Sequence, residues 1–181
     1  MKKFLLISLI GVITMTLMTS CKTKTIIPMA MNTVNAVGLE EMNLVRDDYQ
    51  ILNTVTADAE VIFRENNNNM YLKDANGDFS ITLKRGKMFG QWYFKKFTGI
   101  ARFGFLKNDY DAKDIDYSIY LQPGTVARNM AIYRIINASK ISGADGVIEP
   151  VVSTNIEQRG RDIVFKTTVS AKLIKLKTDK K

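Results

Sequence analysis

ARNMAIYRIINASKISGADGVIEPVV, Ala127 to Val152, changes its hydrophobic period once, at Gly143. Ahead of the glycine, Ala127, Met130, Ala131, Ile135, Ala138 and Ile141 recur at three- and four-residue steps, which predicts a helix from about Gly124 to Ser142. Thr125 is the expected N-cap, and Gly143 stands where a left-handed C-cap is wanted. Behind it the pattern turns to alternation, a strand with Ile148, Val152 and Ile156 expected on one face. Pro150 lacks a backbone donor, so that strand should lie at an edge or carry a bulge.

The flanking sequence is β-rich on both sides. Downstream, Glu157 to Asp162 reads as a turn. Ile163 to Lys177 reads as a final long strand, with Phe165, Thr167, Val169, Ala171 and Leu173 on one face. Its lysines alternate outward, which suits an exposed or edge position. Upstream, Asp48 to Phe63 predicts a long first strand whose core side holds Ile51, Asn53, Val55, Ala57, Ala59 and Val61. MYLKDANGDFSITLK, Met70 to Lys84, sets Asn76-Gly77 between two alternating runs, a hairpin signal. Asn66 to Asn69 read as a loop, and Gln91 to Phe105 as further β-structure.

The amino-terminal end has a different grammar. Lys2 and Lys3 precede an uncharged apolar run, Phe4 to Met18, which ends at the small residues Thr19 and Ser20. This is the pattern of a secretory leader. It falls short of the ~20 residues that a membrane-spanning helix needs. The residues LMTSC, ending at Cys21, resemble the lipobox of bacterial lipoproteins, with Met18 where leucine is usual. That resemblance implies a diacylglycerol thioether on Cys21 and an acylated first residue. Several acyl chains together give stable membrane anchoring. Lys22 after the cysteine resembles an outer-membrane address, and CKTKT lacks the acidic tag of surface-exported lipoproteins. An outer-membrane lipoprotein facing the periplasm is therefore expected. Residues 1–20 form the signal peptide and 21–36 a lipidated tether, part of which docks. Residues 37–181 form a single α+β domain with a β-rich insertion over about 64–123.

Composition excludes several activities. The chain has 181 residues, no histidine and a single cysteine, and its formal net charge is +8. Losing Lys2 and Lys3 with the leader leaves 24 basic residues against 18 acidic ones. That excess is spread along the chain and suits anionic head groups, envelope glycans or an acidic partner; nucleic acid is not expected. With Cys21 acylated, no Cys–His, Ser–His or soft-metal chemistry is available. The mature sequence also has no Ser-x-x-Lys and no Gly-x-Ser-x-Gly.

Two segments resemble the YbjQ-like domain, a β-α-β-β unit found alone and in envelope lipoproteins. One is ILNTVTADAEV, Ile51 to Val61. The other is the quoted stretch, with its Gly143-Ala144-Asp145 junction, and the terminal strand that follows. The mature chain also resembles uncharacterised lipoproteins of Gram-negative gut anaerobes. The first resemblance implies ring-shaped homo-oligomers. The heavy-metal label attached to that family does not transfer, since the mature chain offers neither histidine nor free cysteine.

Candidate sites remain. Trp92, Tyr93, Phe94, Lys95 and Lys96, with Phe97, interleave aromatic faces and cations, as a ligand or partner surface would. The same residues would also fit a core strand. Asp74, Asn76 and Asp78 have the spacing that opens a calcium loop, but Phe79 and Arg85 stand where glycine and a bidentate glutamate are needed. Asp109, Asp111, Asp114 and Asp116 form an acidic loop. Asp47, Asp48, Asp58 and Glu60 would matter for catalysis only if they converged. The expected fold is α+β, a predominantly antiparallel sheet with one main helix packed on it. The expected role is non-catalytic, structural or assembly-forming, with no cofactor and no metal. The alternative is a periplasmic ligand-binding module for a glycan, lipid or hard cation.

Overall fold

The computed structural model describes residues 29–37, 43–86, 90–107 and 121–177. The strands are β1 (Met29–Val34), β2 (Tyr49–Asn66), β3 (Asn69–Asp74), β4 (Phe79–Arg85), β5 (Trp92–Gly99), β6 (Ala101–Leu106), β7 (Gly146–Arg159) and β8 (Asp162–Leu176). The helix α1 (Pro123–Ile141) lies between β6 and β7 in the chain. Six strands form an antiparallel sheet in the order β5-β4-β3-β2-β8-β7, and β1 pairs with β6 in a separate parallel pair. The architecture is α+β, mostly antiparallel sheet with one helix packed on it. β1 falls inside the segment read as a tether.

Short polar turns set the register. Asn66 faces Asn69 across a two-residue turn, and Asn67 takes a left-handed φ of 50°, which asparagine tolerates. Between β3 and β4, the Asp74 carboxylate accepts the amides of Asn76 and Asp78 at 3.1 and 3.2 Å. Gly77 takes φ 81° in the same turn.

α1 begins one turn earlier than Thr125. Gln122 is the N-cap, Pro123 occupies the first helical position, and the Thr125 hydroxyl donates to Gln122 Oε1 at 3.2 Å. The other end is a full Schellman closure. The amide of Ala144 reaches Ser139 O at 3.1 Å, that of Gly143 reaches Lys140 O at 3.1 Å, and Gly143 has φ 65°. Asp145 then fastens β8: its carboxylate accepts Lys175 Nζ at 2.7 Å and the Leu176 amide at 2.9 Å.

The helix is buried more widely than one stripe. Ala127, Met130, Ala131 and Ile135 are inside as expected, but so are Val126, Ile132 and Ile136. Ile141 is 88% exposed, because it is the last helical residue and extends past the sheet. The second buried face exists because β6 packs on α1 as well. A methyl group on Gly104 would lie 2.1 Å from Tyr133 N, so helix backbone meets strand backbone there.

Two face assignments change at bulges, and one edge assignment changes by topology. The register slips between Ile51 and Asn53, so Ile51 joins Tyr49, Ile148, Ile174 and Val37 in a small second cluster on the sheet face away from α1. Ile148 belongs there too. The bulge at Glu149-Pro150 inverts the strand, which returns Val152 and Ile156 to the helix side opposite Val169 and Phe165. β7 is accordingly both an edge and a bulged strand, as Pro150 implies. β8 is not an edge: it lies between β2 and β7, and its lysines alternate because one sheet face is solvated.

Candidate functional site

The aromatic-basic stretch is divided by the pleat of β5. Trp92, Phe94 and Phe97 are half-buried against the main core, paired with Arg85, Leu83 and Ile81. Tyr93 points to the opposite face and is 47% exposed. Lys95 is the extra residue at the bulge opposite Thr82 and Leu83, and both Lys95 and Lys96 are exposed. Trp92 and Tyr93 therefore do not share a concavity.

Tyr93 instead joins residues that the sequence reading did not single out. On the face away from α1, Asn69, Lys84 and Tyr93 form one row across β3, β4 and β5. Tyr71, Thr82 and Lys96 form the next, with Arg64 of β2 beside Tyr71. Lys73, Ser80 and Thr98 form the third, beside Ile62. Rows lie about 7 Å apart and strands about 5 Å apart. Tyr71 is 39% exposed, and Lys73, Lys84 and Lys96 make no ion pair with a described residue. A depression of about 440 Å3 lined by Ile62, Arg64, Tyr71, Lys73, Ser80 and Asp162 opens on this surface. The signal was present in the alternation of MYLKDANGDFSITLK, whose polar positions form this face.

The other half of the same face is self-neutralised. Asp58 accepts the Thr168 hydroxyl at 2.6 Å, and Glu60 meets Arg159 at 3.1 Å and Lys166 at 4.0 Å. Glu157 meets Arg159 at 2.9 Å and Lys166 at 3.0 Å, and Glu149 pairs with Lys172. Hydrogen bonds from Arg159 and then Lys166 hold the Glu157 carboxyl below its usual range. Arg64 does the same to Asp162 through a two-pronged contact. The Lys175 ammonium, then the Leu176 amide, lower Asp145. Glu60, Glu149, Glu157, Asp145 and Asp162 are thus committed to cations, and Asp58 to the Thr168 hydroxyl.

Asp74 and Asp78 hold an arginine. Arg134 Nη2 lies 3.3 Å from both oxygens of Asp74 and 3.0 Å from Asp78 Oδ2, while Nη1 donates to the Asp58 carbonyl. Arg102 reaches Asp78 at 3.5 Å and covers the Tyr133 ring. The guanidinium takes the carboxylates that a calcium ion would need. Among the described residues no three His, Cys, Asp or Glu side chains come together as a metal site. Cys21 and the acidic loop from Asp109 to Asp116 lie outside the described residues.

Compared with protein-family models, curated proteins and solved structures, the chain matches none.

Proposed function

We propose that the protein is a lipid-anchored, periplasm-facing envelope component that acts by assembly rather than catalysis, with acylated Cys21 as its membrane attachment. No helix among the described residues is long and apolar enough to cross a membrane, so attachment would rest on the lipid. On the YbjQ-like reading, β2, α1, β7 and β8 would be the β-α-β-β unit, with β3 to β6 as the insertion between β2 and α1.

One observation carries the assembly reading: β7 is an unguarded edge. Beyond its contact with Asn35 and Val37 near Val147, the strand has no partner on its outer side among the described residues. From Val151 to Gln158 it contains no lysine, no proline and no bulge, and it exposes Val151 (64%), Val152 (38%) and Ile156 (61%). Monomeric proteins usually blunt such edges. The opposite edge, β5, is blunted by Lys95, Lys96 and a bulge.

The edge is also self-complementary. Antiparallel pairing of two copies about Thr154 sets Val152 opposite Ile156 twice. Moving the register one step puts Ile156 opposite Pro150 or Thr154. A closed pair uses the same edge twice, whereas a ring would need β7 to dock on the guarded β5. A twofold dimer with one continuous sheet is the assembly this supports.

Native mass spectrometry of the full chain released from detergent micelles tests the reading. A dimer is expected, and a monomer at micromolar concentration would overturn it.

A further inference from the structure

The geometry points to a second surface with a different occupant: the outer face of β3, β4 and β5 is a binding site for an acidic glycan. It does not depend on the assembly reading, since it lies on the β5 half of the sheet, away from the β7 edge.

Charge distribution comes first. The two halves of one sheet face carry cations in comparable density, but on the β2-β8-β7 half each acidic side chain named above is matched by a base or a hydroxyl. On the β3-β4-β5 half, the outward positions of the three strands hold Lys73, Lys84 and Lys96 and no carboxylate. By these spacings Lys84 and Lys96 lie about 9 Å apart and Lys73 about 12–15 Å from either, and an anion laid across them lowers their mutual repulsion. Among the described residues these lysines reach no ion-pair partner, so no ion pair with them explains the arrangement.

Shape and chemistry then narrow the anion. Tyr93 presents an exposed ring between Lys84 and Lys96, and Tyr71 one between Arg64 and Lys73, each a flat apolar face beside a cation. A pyranose ring carrying a carboxylate offers the matching pair, an apolar C–H face and a negative substituent. Ser80, Thr82 and Thr98 supply hydroxyl partners between them. The depression of about 440 Å3, whose far wall is the Arg64–Asp162 ion pair and whose near wall holds Tyr71, Lys73 and Ser80, is of a size that admits sugar rings. A bilayer surface is planar and would leave that hollow empty, so an extended saccharide chain fits better than a lipid plane.

Calorimetric titration of the full chain in neutral detergent with tetragalacturonate is the test, with maltotetraose as uncharged control. Saturable binding of the acidic sugar alone is expected, weakened about tenfold or more in the Lys84→Gln/Lys96→Gln variant. Tyr93→Phe should bind like the wild type and Tyr93→Ala several-fold more weakly, while Lys172→Gln on the neutralised half leaves affinity unchanged. An unchanged thermal midpoint shows that each variant is folded. The inference is overturned if tetragalacturonate does not bind, or if the lysine variant binds it undiminished. It is equally overturned if glycerol phosphate, the soluble part of an anionic head group, displaces the sugar at equal concentration, because the site would then read charge alone.

Discussion

Arg134 on α1 lies 3.3 Å from both carboxylate oxygens of Asp74 on β3, a side chain with no exposed surface. The pair joins the helix to the turn between β3 and β4, and Asp74 also organises that turn through the amides of Asn76 and Asp78. Burying a carboxylate is tolerable only while its partners stay in place.

Replacing Arg134 with alanine should therefore destabilise the fold by about 2–4 kcal/mol, measured by urea denaturation. Adding Asp74→Asn to that variant should recover part of the loss. Strict additivity of the two substitutions would show that they do not act as a pair.

Two glycines should respond oppositely to alanine. At Gly104 the new methyl group would meet Tyr133 N at 2.1 Å, so about 3 kcal/mol or more should be lost. At Gly143 no described residue lies within 4 Å of the added methyl group, and the left-handed φ of 65° opposes the change. That costs about 1 kcal/mol. Equal effects at the two sites would contradict the close helix–strand contact.

Acid should weaken the fold over a defined range. Asp145, Glu157 and Asp162 all have depressed folded values, so their contribution is complete above the unfolded carboxylate range and is lost as pH falls through the folded values. Stability should be flat from about pH 7 to 5 and fall below about pH 4. The groups are exposed, so added salt should shrink the effect. A decline already under way at pH 6 would point to some other group.

Lysine at position 156 should separate assembly from folding. Ile156→Lys places a charge on the open edge of β7, and native mass spectra should then show monomer only. The same variant should unfold within about 0.5 kcal/mol of the wild type if measured at concentrations where both are monomeric. Persistence of the dimer would move the contact elsewhere.

Local signals were read well from the sequence because neighbouring residues decide them. Gly143 predicts the helix end, Asn76-Gly77 the hairpin and Pro150 the bulged edge, each from its own backbone preference. What escaped depends on residues distant in the chain. Ile132 and Ile136 are buried by β6, whose approach is permitted by Gly104, and no periodicity within α1 reveals a second sheet. The inversions at Leu52 and at Glu149-Pro150 each add one residue to a strand, enough to exchange the faces of Ile51 and Ile148. At the candidate site, Tyr93, Lys95 and Lys96 were singled out by composition. Tyr71, Lys73 and Lys84 become their neighbours only once strand pairing is known, and Trp92 and Phe94 are withdrawn into the core by the same pairing.

The parallel alignment of β1 with β6 bears on how the fold withstands tension. Met29 to Val34 pair in order with Ala101 to Leu106, and Met29 is the end of the strand nearer Cys21 in the chain. A pull entering at Met29 along the strand axis loads the whole ladder in shear. Its hydrogen bonds must then fail together, where peeling would break them singly. The β1-β6 pair thus meets a pull from the amino-terminal side with its whole ladder at once, before the six-stranded sheet is loaded.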